Sequence, residues 1–424
     1  MIHIATSPNL DFLFNHGNPE QPPLPLLFDS SGHFCWELNS YITKFGGGYH
    51  SYGARPSVKT VLGLADVLNV FQRFLERSEK SIFMVDDETL FDFVKYQQDA
   101  SKANNNTIKR TMRRVLMLLE HTQSENPFSK LLTCDISQHD FQINATQHYH
   151  RRGSRTSVRY LSHLCIDDLR DTPTAPISFI RDAELSAWHD AIFEYTSNQF
   201  IIDRWYVLSS LLEHTGCRIE EVINIPASSI IKAYLNNDLV RDIPVLKGRY
   251  KGALRAVEIP RAELQEIYKF ILASRELFPT CETHDKIFIS ERDGLPLERS
   301  TFNSYYRKVI ESSKHVELLT GISYHNFRHR YFTILVARNI STLSKKSKVN
   351  VLEICMSIAR KDSFHASNDT LSTYIHLAHD PEIQRILNTD TTATDKLTAI
   401  GKVAESPDMT PEMKLAAIKE LINV

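Results

Sequence analysis

The sequence predicts a mainly α-helical protein with a small antiparallel β-sheet or hairpin, arranged as a helical domain followed by a mixed α+β domain. Three observations support this. Apolar residues recur at three and four residues through 57–122 and in several segments after 180. Two short β-like runs, Val240 to Leu246 and Leu254 to Ile259, flank the turn-forming Lys247-Gly248-Arg249-Tyr250-Lys251-Gly252. The 424 residues, 42% hydrophobic and 24% charged, suffice for two or three ordinary domains with cores of their own.

Composition narrows the function classes. The six cysteines, Cys35, Cys134, Cys165, Cys217, Cys281 and Cys355, are scattered singly, so neither a disulfide framework nor a zinc ribbon is indicated and reduced thiols are expected. No stretch approaches the roughly 20 apolar residues that span a bilayer, and the opening MIHIATSPNLDF lacks the basic and apolar regions of a signal peptide. A cytoplasmic protein with no membrane partner is expected. Lys plus Arg (49) nearly balances Asp plus Glu (51), so any face for a polyanion must be a local concentration of charge.

Along the chain, residues 1–55 contain Pro22-Pro23, Pro25 and Gly46-Gly47-Gly48 and read as an irregular N-terminal extension of unknown role. Residues 56–125 read as a helical bundle, with Val61, Leu64, Leu68, Phe71 and Leu75 on one face and a shorter amphipathic segment at Leu90, Phe91 and Val94. Its third helix, starting near Thr107, puts Ile108, Met112, Val115 and Leu119 on one stripe. Lys109, Arg110, Arg113 and Arg114 fall on the flanks and opposite side, a face that is either simply solvated or a phosphate contact. Residues 126–178 read as a basic connector with Arg151, Arg152, Arg155 and Arg159. The second domain, 179–380, opens with amphipathic helices at Ala183 to Tyr195 and Arg204 to Glu213. After the hairpin, helices are expected at 262–276, 300–312 and 326–338. A C-terminal helical tail, 381–424, ends in a helix that starts at Thr410-Pro411 and carries Leu415, Ile418 and Ile422.

Three segments of the second domain carry chemistry. Thr215-Gly216-Cys217-Arg218-Ile219-Glu220-Glu221 puts an arginine between a glycine helix stop and a new helix, with Glu221 three residues on to hold the guanidinium. Tyr324-His325-Asn326-Phe327-Arg328-His329 supplies a second arginine one turn after a histidine on the same helix face. His365 is followed nine residues later by Tyr374. Together these provide what metal-free phosphodiester transfer needs: cations for the non-bridging oxygens, a nucleophile, and groups that take and give protons. No His-Glu-x-x-His or comparable ligand pair is present, so no metal is expected.

The ordered set Thr-Gly-x-Arg-x-x-Glu, Lys-bearing hairpin, His-x-x-Arg-His, then His with Tyr nine residues later resembles the catalytic domain of tyrosine recombinases, the phage integrase family. The motifs span about residues 180 to 380, and the helical segment 57–122 is similar to the family's core DNA-binding domain. The resemblance implies that Arg218 and Arg328 clamp the scissile phosphate and that His325 handles the nucleophile's proton and phosphate contacts. It further implies that His365 helps bind the phosphate and that Tyr374 attacks phosphorus to give a 3′-phosphotyrosine and a free 5′-hydroxyl. A hairpin lysine would protonate the departing oxygen. Lys247 directly follows the first strand and is preferred, with Lys251 as the alternative. Two departures stand out: Ser363-Phe364 precedes His365 where the family commonly has Leu-Gly, and Asn339 to Val349, with Lys345, Lys346 and Lys348, looks like an insertion.

The family further implies double-stranded DNA as partner, gripped between the two domains, with assembly as a tetramer on DNA. Accessory DNA-bending or directionality factors, a mobile genetic element as setting, and no cofactor, metal or ATP are implied as well. The DNA-contacting cations expected are Lys109, Arg110, Arg113, Arg114, Arg151, Arg152 and Arg155. Rival readings are strand relaxation of the type IB topoisomerase kind and a non-catalytic DNA-binding relative, which would need the cations but not the tyrosine.

Overall fold

The computed structural model describes residues 2–4, 24–48, 56–135, 137–152, 156–173, 176–247, 251–346, 368–388 and 414. The chain divides into two units, Met1–Ala175 and Pro176–Val424. Most of what is described is helical, with four two-stranded sheets, three of them antiparallel, so the predicted fold class holds.

The first unit runs β1 (Ile2–Ile4), β2 (Pro25–Leu27), α1 (Trp36–Gly46), α2 (Val58–Arg77), α3 (Asp87–Asp99), α4 (Asn105–Glu125), β3 (Leu132–Thr133), β4 (Ile143–Asn144), β5 (Thr146–Arg152), β6 (Thr156–Ser162) and α5 (Leu164–Asp167). Its helices start where the sequence supplies capping oxygens. The side chains of Ser57, Asp86 and Asn104 accept the amides of Thr60, Thr89 and Thr107. The stripe of α2 (Leu64, Leu68, Phe71), Phe93 of α3 and Met112, Val115 and Leu119 of α4 make one buried core. Leu90 and Val94 face it, whereas Phe91 is 49% exposed and lies off the stripe.

Two expectations about this unit change. Residues 1–55 are not uniformly irregular: α1 buries Leu38, Tyr41 and Ile42 in the same core, together with Leu27 of β2. The join is made by Asn39, whose side chain accepts from the Leu27 amide and donates to the Leu27 and Cys35 carbonyls, each at 2.8 Å. Residues 126–178 are more than a connector. β5 and β6 form a seven-pair antiparallel hairpin, and Leu161, Cys165 and Ile166 belong to the core.

The second unit runs α6 (Asp182–Tyr195), α7 (Gln199–Thr215), α8 (Ile219–Val222), α9 (Ala227–Leu235), β7 (Leu239–Pro244), β8 (Leu254–Glu258), α10 (Arg261–Leu277), α11 (Arg299–Glu311), α12 (Val316–Leu319), α13 (Tyr324–Lys346) and α14 (Asn368–Leu377), then a short α15 at 381–388. β7 and β8 pair antiparallel, as the hairpin signature predicts. Trp188 of α6 and Trp205 of α7 meet edge to face at 5.5 Å in the main core, which extends to Phe302 of α11 and Phe327 of α13. A smaller cluster forms where α14 and α15 pack on α13 through Phe332, Val336, Tyr374, Ala378, Ile383 and Leu387. α13 runs past the predicted residue 338 and absorbs 339–346 of the expected insertion. Residues 347–349 of that insertion, and the helix expected from Thr410 apart from Lys414, lie outside the described residues. Among the described residues no helix is long and apolar enough to cross a membrane.

Phe71 is fully buried and packs edge-on to Phe93 at 5.0 Å. Truncation by Phe71→Ala should cost about 3–5 kcal/mol of the first unit's stability, read as a lowered urea midpoint. A midpoint indistinguishable from that of the parent chain would contradict the packing.

Candidate active site

α7 ends because Gly216 takes the left-handed conformation at φ 57°, and its amide bonds back to the Leu212 carbonyl. A second reason demands glycine there: a Cβ on Gly216 would meet the Tyr331 ring of α13 at 2.3 Å. The reversal aims the Gly216 carbonyl at α13, where it accepts a hydrogen bond from the Arg328 guanidinium. One residue past the turn, Arg218 leads into α8. Its backbone amide and its guanidinium each donate to the Glu221 carboxylate at 2.9 Å, and Glu221 is almost fully buried. The predicted Arg–Glu pair therefore exists, and the guanidinium keeps partial access to solvent.

Arg328 is only 2% exposed. Its guanidinium carbon lies 4.6 Å from the centre of the Phe332 ring one turn on. Burial first, then the positive charges of Arg218 and Arg255, depress its pKa to about 10, with Glu221 acting in the opposite sense. An arginine driven that far down marks a place where positive charge is crowded and an anion is favoured.

Arg255 was not singled out by sequence. It sits in β8, 7% exposed, donating to the Thr215 carbonyl at 2.8 Å and to the Cys217 sulfur, so the hairpin is tied to the loop that carries Arg218. Cys217 is fully buried beneath that loop.

Tyr374 comes from α14 and is fully buried, its ring 5.9 Å from Phe332. Burial pushes its hydroxyl up to about 12, against the opposing effect of Arg328 and then Arg218. The sequence assigned proton handling to His325, but the structure places a different histidine at the hydroxyl: His329 Nδ1 lies 2.9 Å from the Tyr374 oxygen. His325 is one turn away on α13, its ring 5.6 Å from that of His329 and edge-on to it. Desolvation and the charges of Arg328, Arg218, Lys247 and Arg299 hold the His325 imidazole below its usual pKa. His329 is pushed further, to about 4, by burial, His325 and Arg328. The i, i+4 spacing of the two histidines in His-x-x-Arg-His was the available signal.

Lys247 is exposed at the end of the β7 side, and its charge is among those that lower the His325 pKa. Arg218, Glu221, Lys247, His325, Arg328 and Tyr374 are thus brought to one region of the second unit. His365 lies outside the described residues. Among the described residues no group of three or more His, Cys, Asp or Glu side chains could hold a metal ion.

The cations expected on the first unit fare differently. Lys109 pairs with Asp171 at 2.7 Å, Arg113 stacks over the Tyr160 ring at 4.6 Å, and Arg114 donates to the Gly63 carbonyl at 2.6 Å. Arg159 is held by Glu120. Arg110 remains exposed on α4. Three of the four cations of α4 thus have intramolecular partners, drawn from the stretch 168–173, β6 and α2. Arg151 and Arg152 end β5 with side chains outside the description, and Arg155 lies outside the described residues.

Searches against protein-family models and against curated proteins find no match. Among solved structures the chain is similar to XerA recombinase, at 15% identity over 84% of this chain and 98% of that one, with a TM-score of 0.34. It is similar also to XerH site-specific recombinase bound to difH substrate, at 17% identity over 75% and 77%, TM-score 0.46. A lambda integrase dimer bound to a COC′ core site matches at 14% identity over 80% and 76%, TM-score 0.45. These likenesses are loose.

Gly216→Ala forces a side chain into both the left-handed conformation and the Tyr331 ring. It should cost the second unit at least about 1 kcal/mol in chemical denaturation. Unchanged stability would show that the turn tolerates a Cβ.

Proposed function

We propose that this chain is a site-specific DNA recombinase of the integrase type, breaking and rejoining strands through a 3′-phosphotyrosine at Tyr374. The observation that carries the reading is the convergence of two guanidinium groups, Arg218 and Arg328, on the surroundings of one tyrosine hydroxyl, with both charges acting on it. A phosphodiester anion relieves the mutual repulsion of the cations, and its trigonal-bipyramidal transition state, which carries more negative charge on the non-bridging oxygens, relieves it further. The clamp thus favours the reaction over mere binding.

In this mechanism Arg218 and Arg328 hold the non-bridging oxygens, with Glu221 fixing the orientation of Arg218. His325, exposed at the edge of the cluster, contacts the phosphate, as does His365 in the reading from sequence. Tyr374 oxygen forms the bond to phosphorus and the 5′-oxygen leaves with a proton from Lys247, whose charge reaches His325. The phosphotyrosine conserves the bond energy of the strand, so the reverse attack by a 5′-hydroxyl rejoins it. Duplex DNA is the substrate, and a tetramer acting on two duplexes is the proposed assembly.

A supercoiled plasmid carrying the DNA that flanks the gene is a suitable probe. Wild-type protein should form a covalent protein–DNA adduct, resistant to denaturation by detergent, that Tyr374→Phe does not form. An undiminished adduct in the variant would falsify the role of Tyr374. In the same assay Lys247→Ala should slow adduct formation by about a hundredfold or more, and Lys251→Ala by less than about tenfold. The reverse order would move the acid to Lys251.

A further inference from the structure

We infer that His329, and not His325, is the group that takes the proton from Tyr374 when the tyrosine attacks. This deepens the recombinase reading and rests on it. The geometry is direct: Nδ1 of His329 and the Tyr374 hydroxyl oxygen stand 2.9 Å apart, within hydrogen-bond reach, and the two ring centroids are 5.7 Å apart. Tyr374 is fully buried against Phe332, one turn below His329 on α13, and the His329 ring lies edge-on to that of His325 at 5.6 Å.

The charged and titratable groups facing this pair are His325 and Arg328 from α13, Arg218 from the loop before α8, and Tyr374 itself from α14. Burial first, then His325 and Arg328, disfavour an imidazolium, so His329 is neutral across the ordinary pH range. With the proton on Nε2, its Nδ1 lone pair accepts the tyrosine hydroxyl. The step then balances. As a Tyr374 oxygen lone pair forms the bond to phosphorus, the hydroxyl proton moves to His329 Nδ1. The bond from phosphorus to the 5′-oxygen breaks, and that oxygen takes a proton from Lys247. His329 is left as imidazolium and Lys247 as neutral amine, and rejoining returns both protons.

The mismatch between the two groups has a physical consequence. A histidine with its pKa near 4 does not ionise a tyrosine raised to about 12, so the nucleophile stays protonated in the unoccupied enzyme. A phosphodiester bound between Arg218 and Arg328 offsets the Arg328 charge, which adds to burial and His325 in depressing His329. The same arrival therefore makes the histidine more basic and supplies the electrophile.

Two measurements test this. In 15N spectra of the full-length, histidine-labelled protein, with the His329 signals assigned by their loss in His329→Gln, Nδ1 should carry the shift of an unprotonated hydrogen-bond acceptor from pH 5 to 8. A protonated Nδ1 in that range overturns the proposal. In the adduct assay with the same plasmid, His329→Ala should be slowed about 10²–10³-fold and partly restored by added imidazole. His329→Gln, which can still accept the hydroxyl hydrogen bond but takes no proton, should remain slow. Recovery of the wild-type rate by the glutamine would make His329 a positioning residue and overturn the proposal, as would a wild-type rate in His329→Ala. Absence of any adduct from wild-type protein would defeat the recombinase reading itself, whereas normal wild-type adduct with unaffected variants defeats only the assignment of His329.

Discussion

Arg328 is buried among α7, β8 and α13 with two further guanidinium groups near it, those of Arg218 and Arg255, and the carboxylate of Glu221 offsets part of their repulsion. Concentrating positive charge in a low-dielectric interior is unfavourable unless the groups are well bonded. Much of the local architecture of the second unit can be understood as meeting that condition. Gly216 turns a carbonyl towards Arg328, Thr215 presents another to Arg255, and the loop that follows Gly216 places Arg218 opposite Glu221. Close approach of α7 to α13 makes this possible, and it is the reason a side chain is excluded at Gly216.

α13 is the element on which the site is assembled. His325, Arg328 and His329 lie within two turns of one helix, so their spacing is set by backbone geometry instead of by loops. The next residue, Arg330, is itself buried, points the other way and ends in a set of acceptors: the Ile180 carbonyl, Asp182 at 2.5 Å and Glu382 at 3.3 Å. One side of the helix thereby serves the site while another anchors the start of α6 and α15.

How much of this was legible in the sequence depended on whether the relevant pattern was local. The helices of both units and the β7–β8 hairpin follow from apolar periodicity and turn residues, and the Arg218–Glu221 and His325–Arg328 spacings are helical offsets. Helix α1 escaped because Asn39 occupies an inward position, and its hydrogen bonds to Leu27 and Cys35 join residues twelve and four apart. Arg255 escaped for a similar reason: a cation stands at the inward register of β8, where alternation leads one to expect an apolar side chain, and its partners are some forty residues away. The partners of the cations on α4 were not legible because helical projection shows what leaves a helix but not what folds over it. Asp171, Tyr160 and Gly63 come from elsewhere in the chain. Which histidine of His-x-x-Arg-His meets Tyr374 was not legible, since both share a face and only the position of α14 brings His329 to the hydroxyl.

The ion pairs around α15 bear on how the helix of Tyr374 is held. Asp182 and Arg181 open α6, Arg330 lies on α13, and Asp380, Glu382 and Arg385 bracket the start of α15, directly after the helix that carries Tyr374. Arg181 bonds Asp380 and Glu382, Arg385 bonds Asp182, and the Asp182 amide donates to Glu382 at 2.7 Å. All belong to a single polypeptide, so the segment that follows the helix of Tyr374 is tied within the chain to the start of α6 and to α13, the helix of Arg328. Loosening any one of these pairs would therefore be felt at Tyr374 through the backbone, although none of them touches its ring.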